Sequence, residues 1–102
     1  MTDFDHNAID DVLQGRVRLA IVAFLAGAGR SDFTTIRDAI KTTDGNASVH
    51  LRKLEDAEYV SMEKKFVGRK PLTTYALTDK GRQALLDYVS HLEALLPPAP
   101  DK

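Results

Sequence analysis

Residues 44–60, DGNASVHLRKLEDAEYV, constrain the fold most because they form a helix pattern with two unlike faces. Ala47, Leu51 and Leu54 recur at intervals of four and three residues, which places them on one side of an amphipathic helix. The other side carries mostly polar or charged side chains: Asn46, Ser48, Val49, Arg52 and Lys53. We therefore predict a helix that packs one face on a core and presents the other to solvent or to a partner.

The outward face of this helix has the chemistry of a nucleic-acid contact. Short hydrogen-bonding side chains together with Arg and Lys are the groups that read base edges and phosphates in a DNA major groove. Ordinary solvated helix faces have a similar composition, so the helix by itself favours a surface role over a DNA-binding role. The segment that follows the helix decides between these two interpretations.

Residues 60–78 predict a β-hairpin directly after the helix. The hydrophobic period changes from 3.6 to 2 over residues 60–67, and residues 73–78, TTYALT, are rich in β-branched and aromatic side chains. The intervening residues 68–71, GRKP, supply the turn. The hairpin has a local charge of +3 from four cations and one carboxylate: Lys64, Lys65, Arg69, Lys70 and Glu63. Cations at a hairpin tip often have no role beyond preventing sheet edges from pairing with one another. However, DNA phosphates are the natural counter-charge of such a cluster.

The segments on either side predict further helices. Residues 16–27 are apolar on nearly all sides, which predicts a buried central helix ended by a glycine, and residues 9–13 suggest a short helix before it. Residues 32–41 predict a second helix, joined to residues 44–60 by so short a turn that the two must cross steeply. Residues 79–96 keep an apolar spacing of three and four until the prolines that follow. The predicted N-caps are polar: Ser31 or Asp32, Thr43 or Asp44, and Thr78.

Length and charge indicate one globular domain with a modestly basic surface. At 102 residues the chain has room for one domain. Its formal net charge of -1 argues against a strongly basic nucleic-acid binder. However, four of the 15 acidic residues lie in the first 14 positions, which hold no Lys or Arg, so the remainder carries 14 basic against 11 acidic residues. A positive surface is therefore available for a DNA backbone.

Several other classes of function are excluded or disfavoured by the residues present. Because the sequence has no cysteine, disulfides, thiolate metal sites and cysteine nucleophiles are excluded. His6, His50 and His91 lie far apart without metal-binding spacing, and the glycines at 27–29 do not join a strand to a helix as a phosphate loop would. We expect no enzyme activity, no catalytic residues, no metal and no cofactor. The longest apolar run, residues 19–26, is too short to span a membrane, so we expect a cytoplasmic protein without a membrane partner.

A helix-turn-helix followed at once by a basic hairpin combines these elements. The stretch from Phe33 to Arg82 resembles the small winged helix transcriptional regulators of the MarR-like and ArsR-like type, in the segments DGN, SVHLRKLE, KKFVGRKP, TTY and LTDKGR. The implied fold class is α+β, mostly α: a winged helix-turn-helix with three helices, a β-hairpin wing and a long C-terminal helix. The implied single domain spans residues 1–102, with the helix-turn-helix at about 32–58, the wing at about 60–78 and a dimerisation helix at about 79–96.

The resemblance implies a homodimer that binds a pseudo-palindromic double-stranded DNA operator. The third helix would enter the major groove, and the wing would lie over the adjacent minor groove or backbone. The DNA-binding residues are then expected on the second and third helices and on the wing: Thr34, Asn46, Ser48, Val49, Arg52, Lys53, Lys64, Lys65, Arg69 and Lys70. The dimer interface is expected on the last helix, which is more apolar than a small core requires: Leu85, Tyr88, Val89, Leu92, Leu95 and Leu96.

The competing interpretation is a winged helix that serves as a protein–protein interaction module without DNA binding, because this fold also occurs in scaffolds. Salt-dependent binding to duplex DNA discriminates the two. No motif identifies a small-molecule effector. His50 lies where the family has a histidine, and a packed, hydrogen-bonded ring is the favoured interpretation of it.

Two residues depart from the family pattern. Ala47 stands where a larger aliphatic residue is usual, which leaves the core beside the turn short of volume. Glu58 stands where glycine is usual, and a side chain there costs on the order of 1 kcal/mol if the backbone is left-handed. Neither change removes the outward face of the helix.

Overall fold

The computed structural model describes residues 10–96. Within them the elements follow one another in the order α1 (Arg16–Ala28), β1 (Ser31–Asp32), α2 (Phe33–Ala39), α3 (Asp44–Asp56), β2 (Val60–Val67), β3 (Lys70–Leu77) and α4 (Asp79–Glu93). This order confirms the predicted succession of helices, hairpin and final helix. The fold is α+β and mostly helical, as the sequence predicted.

Polar caps begin three of the helices where the sequence placed them. The side chains of Asp32, Thr43 and Thr78 each accept a hydrogen bond from the backbone N–H three residues later, at 2.7, 3.1 and 3.0 Å. Each bond satisfies one of the N–H groups that a helix start leaves without a partner. Of the alternatives, Ser31 lies in β1 and Asp44 is the first residue of α3.

The ends of α2 and α3 are closed by left-handed residues other than glycine. Lys41 has a φ of 56° and Glu58 a φ of 65°, so the backbone at Glu58 is left-handed, the condition under which a side chain there is strained. After α3, the Tyr59 N–H donates to the Leu54 carbonyl at 2.9 Å and the Glu58 N–H donates to the Glu55 carbonyl at 2.8 Å. These two bonds are those of a Schellman motif, which stops the helix and turns the chain into β2.

The three strands form one antiparallel sheet in the order β1-β3-β2. The β2–β3 register runs from Val60 opposite Leu77 to Val67 opposite Lys70. Two residues, Gly68 and Arg69, therefore connect the strands. Gly68, the first of them, has a φ of 65°, as a type II′ hairpin turn requires.

Two features of this sheet differ from the sequence prediction. Lys70 and Pro71 were assigned to the turn, but both lie in β3, opposite Val67 and Phe66, so β3 begins three residues before the predicted Thr73. Strand β1 was not predicted; its two residues pair with Tyr75 and Thr74 of β3, and so short a strand has no sequence period of its own.

The core lies between α1, α2, α3 and the base of the hairpin. Helix α1 is fully buried at Ile21, Val22 and Leu25, but Ala23 is exposed, so α1 buries one face and is not buried on nearly all sides as the sequence predicted. From α3, the predicted inward face of Ala47, Leu51 and Leu54 is also buried. Further buried core residues come from other elements: Leu13, Ile36, Tyr59, Val60 and Tyr75.

Both ends of the described residues differ from prediction. Residues 11–14 form turns instead of the expected short helix, because the Asp10 carboxylate accepts hydrogen bonds from the backbone N–H groups of Val12 (2.8 Å) and Leu13 (3.2 Å). Ile9 lies outside the described residues. At the other end α4 stops at Glu93, three residues before the predicted Leu96. The N–H of Leu96 donates to the carbonyl three residues earlier at 3.0 Å, which makes a tighter turn there.

Candidate nucleic-acid interface

The outward face of α3 is fully available to a partner. All five side chains predicted to lie there are exposed: Asn46, Ser48, Val49, Arg52 and Lys53. Because the opposite face is buried, α3 is fixed to the core on one side and open on the other. Arg52 has 78% of its side chain exposed, and its guanidinium Nε lies 3.8 Å from the Asp56 carboxylate one turn later. So weak and exposed an ion pair leaves Arg52 able to turn toward a ligand.

An ion pair links α2 to the start of α3. The Arg37 guanidinium of α2 donates to the Asp44 carboxylate in the first turn of α3 at 2.6 Å. The same guanidinium also contacts the Asp38 carboxylate at 2.9 Å. The Asp44 carboxylate, which would repel a DNA phosphate, is therefore already paired with a cation.

A second arginine joins α3 to the N-terminal turn. The Arg18 guanidinium of α1 donates to the Val12 carbonyl at 2.6 Å and contacts His50 Nδ1 at 3.1 Å. Because a guanidinium only donates, His50 Nδ1 is the acceptor and its ring is neutral in this contact. Partial burial and the charges of Arg18 and Lys53 lower the pKa of His50 below its usual value. The prediction of a packed, hydrogen-bonded histidine is confirmed.

The β2–β3 hairpin, referred to below as the wing, projects from the core. In β2 only Val60 is buried, and the residues from Ser61 to Val67 are exposed. All four predicted wing cations are exposed: Lys64, Lys65, Arg69 and Lys70. None of them forms an ion pair with a carboxylate of residues 10–96, whereas Glu63 lies 3.6 Å from the Arg30 guanidinium. The wing therefore carries unneutralised positive charge.

A groove separates α3 from the wing. It has a volume of about 520 Å³ and lies between the start of α2, the middle of α3 and one face of the hairpin. Its polar lining includes one predicted site residue from each of these three places, namely Thr34, Ser48 and Lys64. Asp32 also borders the groove, where its hydrogen bonds with Thr35 lower its pKa and its carboxylate caps α2. The predicted site residues of three elements thus meet along one surface.

The apolar face predicted for dimerisation is only partly exposed. Leu85 and Tyr88 pack against the core of their own chain. The other four predicted residues, Val89, Leu92, Leu95 and Leu96, are exposed by 40–69% of their surface. Leu86, which the sequence placed to the side, is exposed by 56% and extends this patch.

A second cavity lies between the N-terminal turn and α4. Its volume is about 630 Å³, and Asp10, Asp87 and His91 are among its lining residues. At its base the Tyr59 hydroxyl donates to the Asp10 carboxylate, and burial together with this contact raises the pKa of Tyr59 to about 12. The sequence did not predict this cavity. Residues that meet there are distant along the chain: Asp10 and Tyr59, which are in contact, are separated by 49 positions.

Neither a metal site nor a membrane span is found among residues 10–96. No three His, Asp or Glu side chains in this part of the chain are grouped so that they could hold a metal ion. No helix there is long and apolar enough to cross a membrane.

The sequence did not identify Arg18 and Arg37 as functional residues, although both position α3. Arg18 contacts His50, 32 residues later, and Arg37 contacts Asp44, seven residues later. A single arginine forms no periodic pattern in the sequence, so such contacts between elements could not be predicted. The exposed aromatic ring of Phe66 was likewise assigned only to the strand pattern.

The chain belongs to the winged helix DNA-binding domain family. The model of that family matches residues 17–96, which include every helix and strand except the first residue of α1. The fold and the family are those of transcriptional regulators.

Two relatives above 30% identity share most of their length with this chain. An uncharacterized protein of Methanocaldococcus jannaschii is 34% identical over 73 residues, which are 72% of this chain and 79% of that protein. The solved structure of a transcriptional regulator homologue protein from Pyrococcus horikoshii OT3 is 31% identical, has a TM-score of 0.76 and covers 82% of this chain and 83% of its own.

Structures of lower identity share the fold. A MarR-family transcriptional regulator from Silicibacter pomeroyi is 19% identical with a TM-score of 0.67, covering 78% of this chain and 53% of its own. PadR of Bacillus subtilis, solved in complex with operator DNA, is 22% identical with a TM-score of 0.67, covering 86% of this chain and 53% of its own. The MarR-like resemblance read from the sequence is confirmed at the level of fold.

Proposed function

We propose that this protein is a homodimeric transcriptional regulator that binds double-stranded DNA sequence-specifically through α3 and the wing. The observation that carries the proposal is the continuous surface formed by these two elements and the groove between them. All ten side chains predicted to contact DNA are exposed, and three of them, Thr34, Ser48 and Lys64, line the groove.

In this proposal α3 enters the major groove and reads base edges. Arg52 is the principal reader, since an arginine can bond two acceptors on a guanine at once. Asn46 can bond adenine in a similar two-point manner, and Val49 offers an apolar contact for a thymine methyl group. Lys53, at the edge of the face, is placed to contact a phosphate.

The groove between α3 and the wing suits one strand of the DNA backbone. The hydroxyls of Thr34 and Ser48 and the ammonium of Lys64 can each donate to phosphate oxygens. A backbone seated there would bring the major groove toward α3 and the neighbouring minor groove toward the wing tip. Lys65, Arg69 and Lys70 then supply further phosphate contacts, which add affinity without sequence preference.

The exposed patch on α4 supports a homodimer. The exposed apolar residues lie on the C-terminal part of α4 and the turn after it: Leu86, Val89, Leu92, Leu95 and Leu96. Two copies related by a two-fold axis would cover this patch with the same patch. Such an arrangement favours two α3 helices about 34–36 Å apart, one turn of DNA, and hence a pseudo-palindromic operator. PadR, which has the same fold, was solved in complex with operator DNA, which supports the DNA-binding part of the proposal.

Selection of bound duplexes from a random DNA library by the full chain, at a stated salt concentration, tests this function. We expect an enriched motif with two-fold symmetry. A chain that retains no duplex above background would instead support the protein–protein module, and an enriched motif without symmetry would contradict the homodimer.

A further inference from the structure

The wing carries a large apolar side chain among its cations. Phe66 is 72% exposed, the highest value among the large apolar residues of the described chain, and it lies within four residues of Lys64, Lys65, Arg69 and Lys70. An exposed aromatic ring at the end of a projecting hairpin adds nothing to the core, and here it stands among four cations. A contact with a bound ligand would explain why the Phe66 ring is exposed.

We propose that Phe66 is a specificity-determining contact that inserts into the DNA minor groove and favours easily unstacked base steps. This inference rests on the proposed function and assigns a second kind of recognition to the same interface. The wing would read DNA deformability with an apolar wedge while its cations hold the phosphates on either side.

The register of the hairpin places Phe66 on the face that borders the groove. Cross-strand partners lie on the same face of a sheet, and Phe66 is opposite Pro71 while Lys64 is opposite Thr73. Lys64, Pro71 and Thr73 all line the groove beside Ser48 of α3. Phe66 continues this face outward, so a backbone strand seated in the groove would bring the adjacent minor groove to its ring.

The shape of the wing suits insertion. Glu63 is the last residue of β2 to pair with a buried residue of β3, Thr74, so residues 64–67 project beyond the core, which at about 3.3 Å per residue is about 13 Å. Its two-residue turn keeps the tip narrow, as a minor groove about 6 Å wide requires. Pro71 opposite the ring is rigid and donates no hydrogen bond, so it forms a firm apolar backing.

The surrounding charge favours DNA over an apolar protein surface as the occupant. Four cations flank the ring, and none is paired with a carboxylate of residues 10–96. Burying them against an apolar partner would leave charges desolvated without compensation, whereas phosphates on both sides of a minor groove neutralise them. Apolar side chains inserted in this way unstack pyrimidine–purine steps most easily.

The test compares Phe66→Ala, Phe66→Leu and Val67→Ala on the duplex selected by the parent chain, with affinities measured at several salt concentrations. Val67 is the matched control, since it is 61% exposed on the opposite face of the same strand. We expect Phe66→Ala to weaken binding about tenfold or more, from the usual contribution of an aromatic contact to bases. Phe66→Leu should retain most of the affinity, and Val67→Ala should bind like the parent.

Two readouts separate this wedge from the phosphate contacts. The slope of log affinity against log salt should be the same in Phe66→Ala and the parent, because no charge is removed. The parent's preference for a pyrimidine–purine step at the wing position, measured on operator variants, should be lost in Phe66→Ala.

Four results would overturn the inference. Unchanged affinity of Phe66→Ala, while the parent binds, would overturn the wedge alone. Equal losses in Phe66→Ala and Val67→Ala would indicate a weakened hairpin instead. A change in sedimentation of Phe66→Ala without DNA would assign the ring to a second copy of the chain. A parent that selects no duplex would overturn both the wedge and the proposed function.

Discussion

Replacing Gly81 with alanine tests how closely α4 approaches the end of α3. Gly81 is buried in the first turn of α4. A Cβ added there would lie 2.8 Å from Leu77 Cδ1 and 2.9 Å from the Tyr59 carbonyl carbon, and nearer still to the carbonyl oxygen. Because backbone atoms cannot rotate aside as the end of a side chain can, α4 or the segment after α3 must shift.

Three contributions set the expected change in the free energy of unfolding. Overpacking costs about 1–3 kcal/mol. A shift of the Tyr59 carbonyl also weakens the bond it accepts from the Thr78 N–H at 3.0 Å, which costs about 1 kcal/mol. The higher helix propensity of alanine returns about 1 kcal/mol. We therefore expect Gly81→Ala to destabilise the protein by about 1–3 kcal/mol.

Urea unfolding monitored by circular dichroism measures this change, and the m value should stay constant. Gly27→Ala is the matched control, because Gly27 also lies in a helix but a Cβ added to it meets nothing within 4 Å. That variant should be more stable than the parent by about 0.5–1 kcal/mol. A Gly81→Ala protein as stable as Gly27→Ala would refute the close approach.

Four further predictions concern single side chains. Glu58→Gly should stabilise the fold by less than about 1 kcal/mol in urea unfolding, since relief of the left-handed strain is partly offset by a more flexible unfolded chain. Arg52→Ala should weaken specific DNA binding by about 1–3 kcal/mol and relax the preference at one base pair per half-site, measured on operator variants. Arg69→Ala should weaken binding to all duplexes alike and reduce the salt slope by about one unit. Leu92→Glu should convert a dimeric parent to a monomer of 11.3 kDa in sedimentation, because the charge would be buried between copies.

Each of these predictions has a contrary result. A destabilised Glu58→Gly would mean that the contact of Glu58 with Lys80, at 3.3 Å, outweighs the strain. Retained base preference in Arg52→Ala would remove that side chain from the base edges, and an unchanged salt slope in Arg69→Ala would remove the wing tip from the phosphates. A parent that sediments as a monomer at micromolar concentration would exclude the homodimer.

Local signals in the sequence predicted most of the fold. The spacing of Ala47, Leu51 and Leu54 identified the buried face of α3, and three capping side chains fixed helix starts because capping depends on residues within one turn. The left-handed backbone at Glu58 was suggested by the family resemblance, because glycine is usual at that position, and not by a local signal. The outward side chains of α3 and the wing cations followed from the same patterns.

Features that depend on distant contacts were not predictable. Strand β1 exists only through its pairing with β3, more than forty residues later, as Ser31 opposite Tyr75 illustrates. The groove that joins Thr34, Ser48 and Lys64 forms only when three elements pack together. The N-terminal turn replaced the expected helix because a side chain competed for its backbone N–H groups.

The most direct test of the account is the affinity of the full chain for its selected duplex and for a shuffled duplex of the same composition, across a series of salt concentrations. We expect a preference of about 10³-fold or more for the selected sequence. We also expect that log affinity for both duplexes falls linearly with log salt. Equal affinity for the two duplexes, or no binding at low salt, would contradict the proposal that α3 and the wing form a sequence-specific DNA-binding surface.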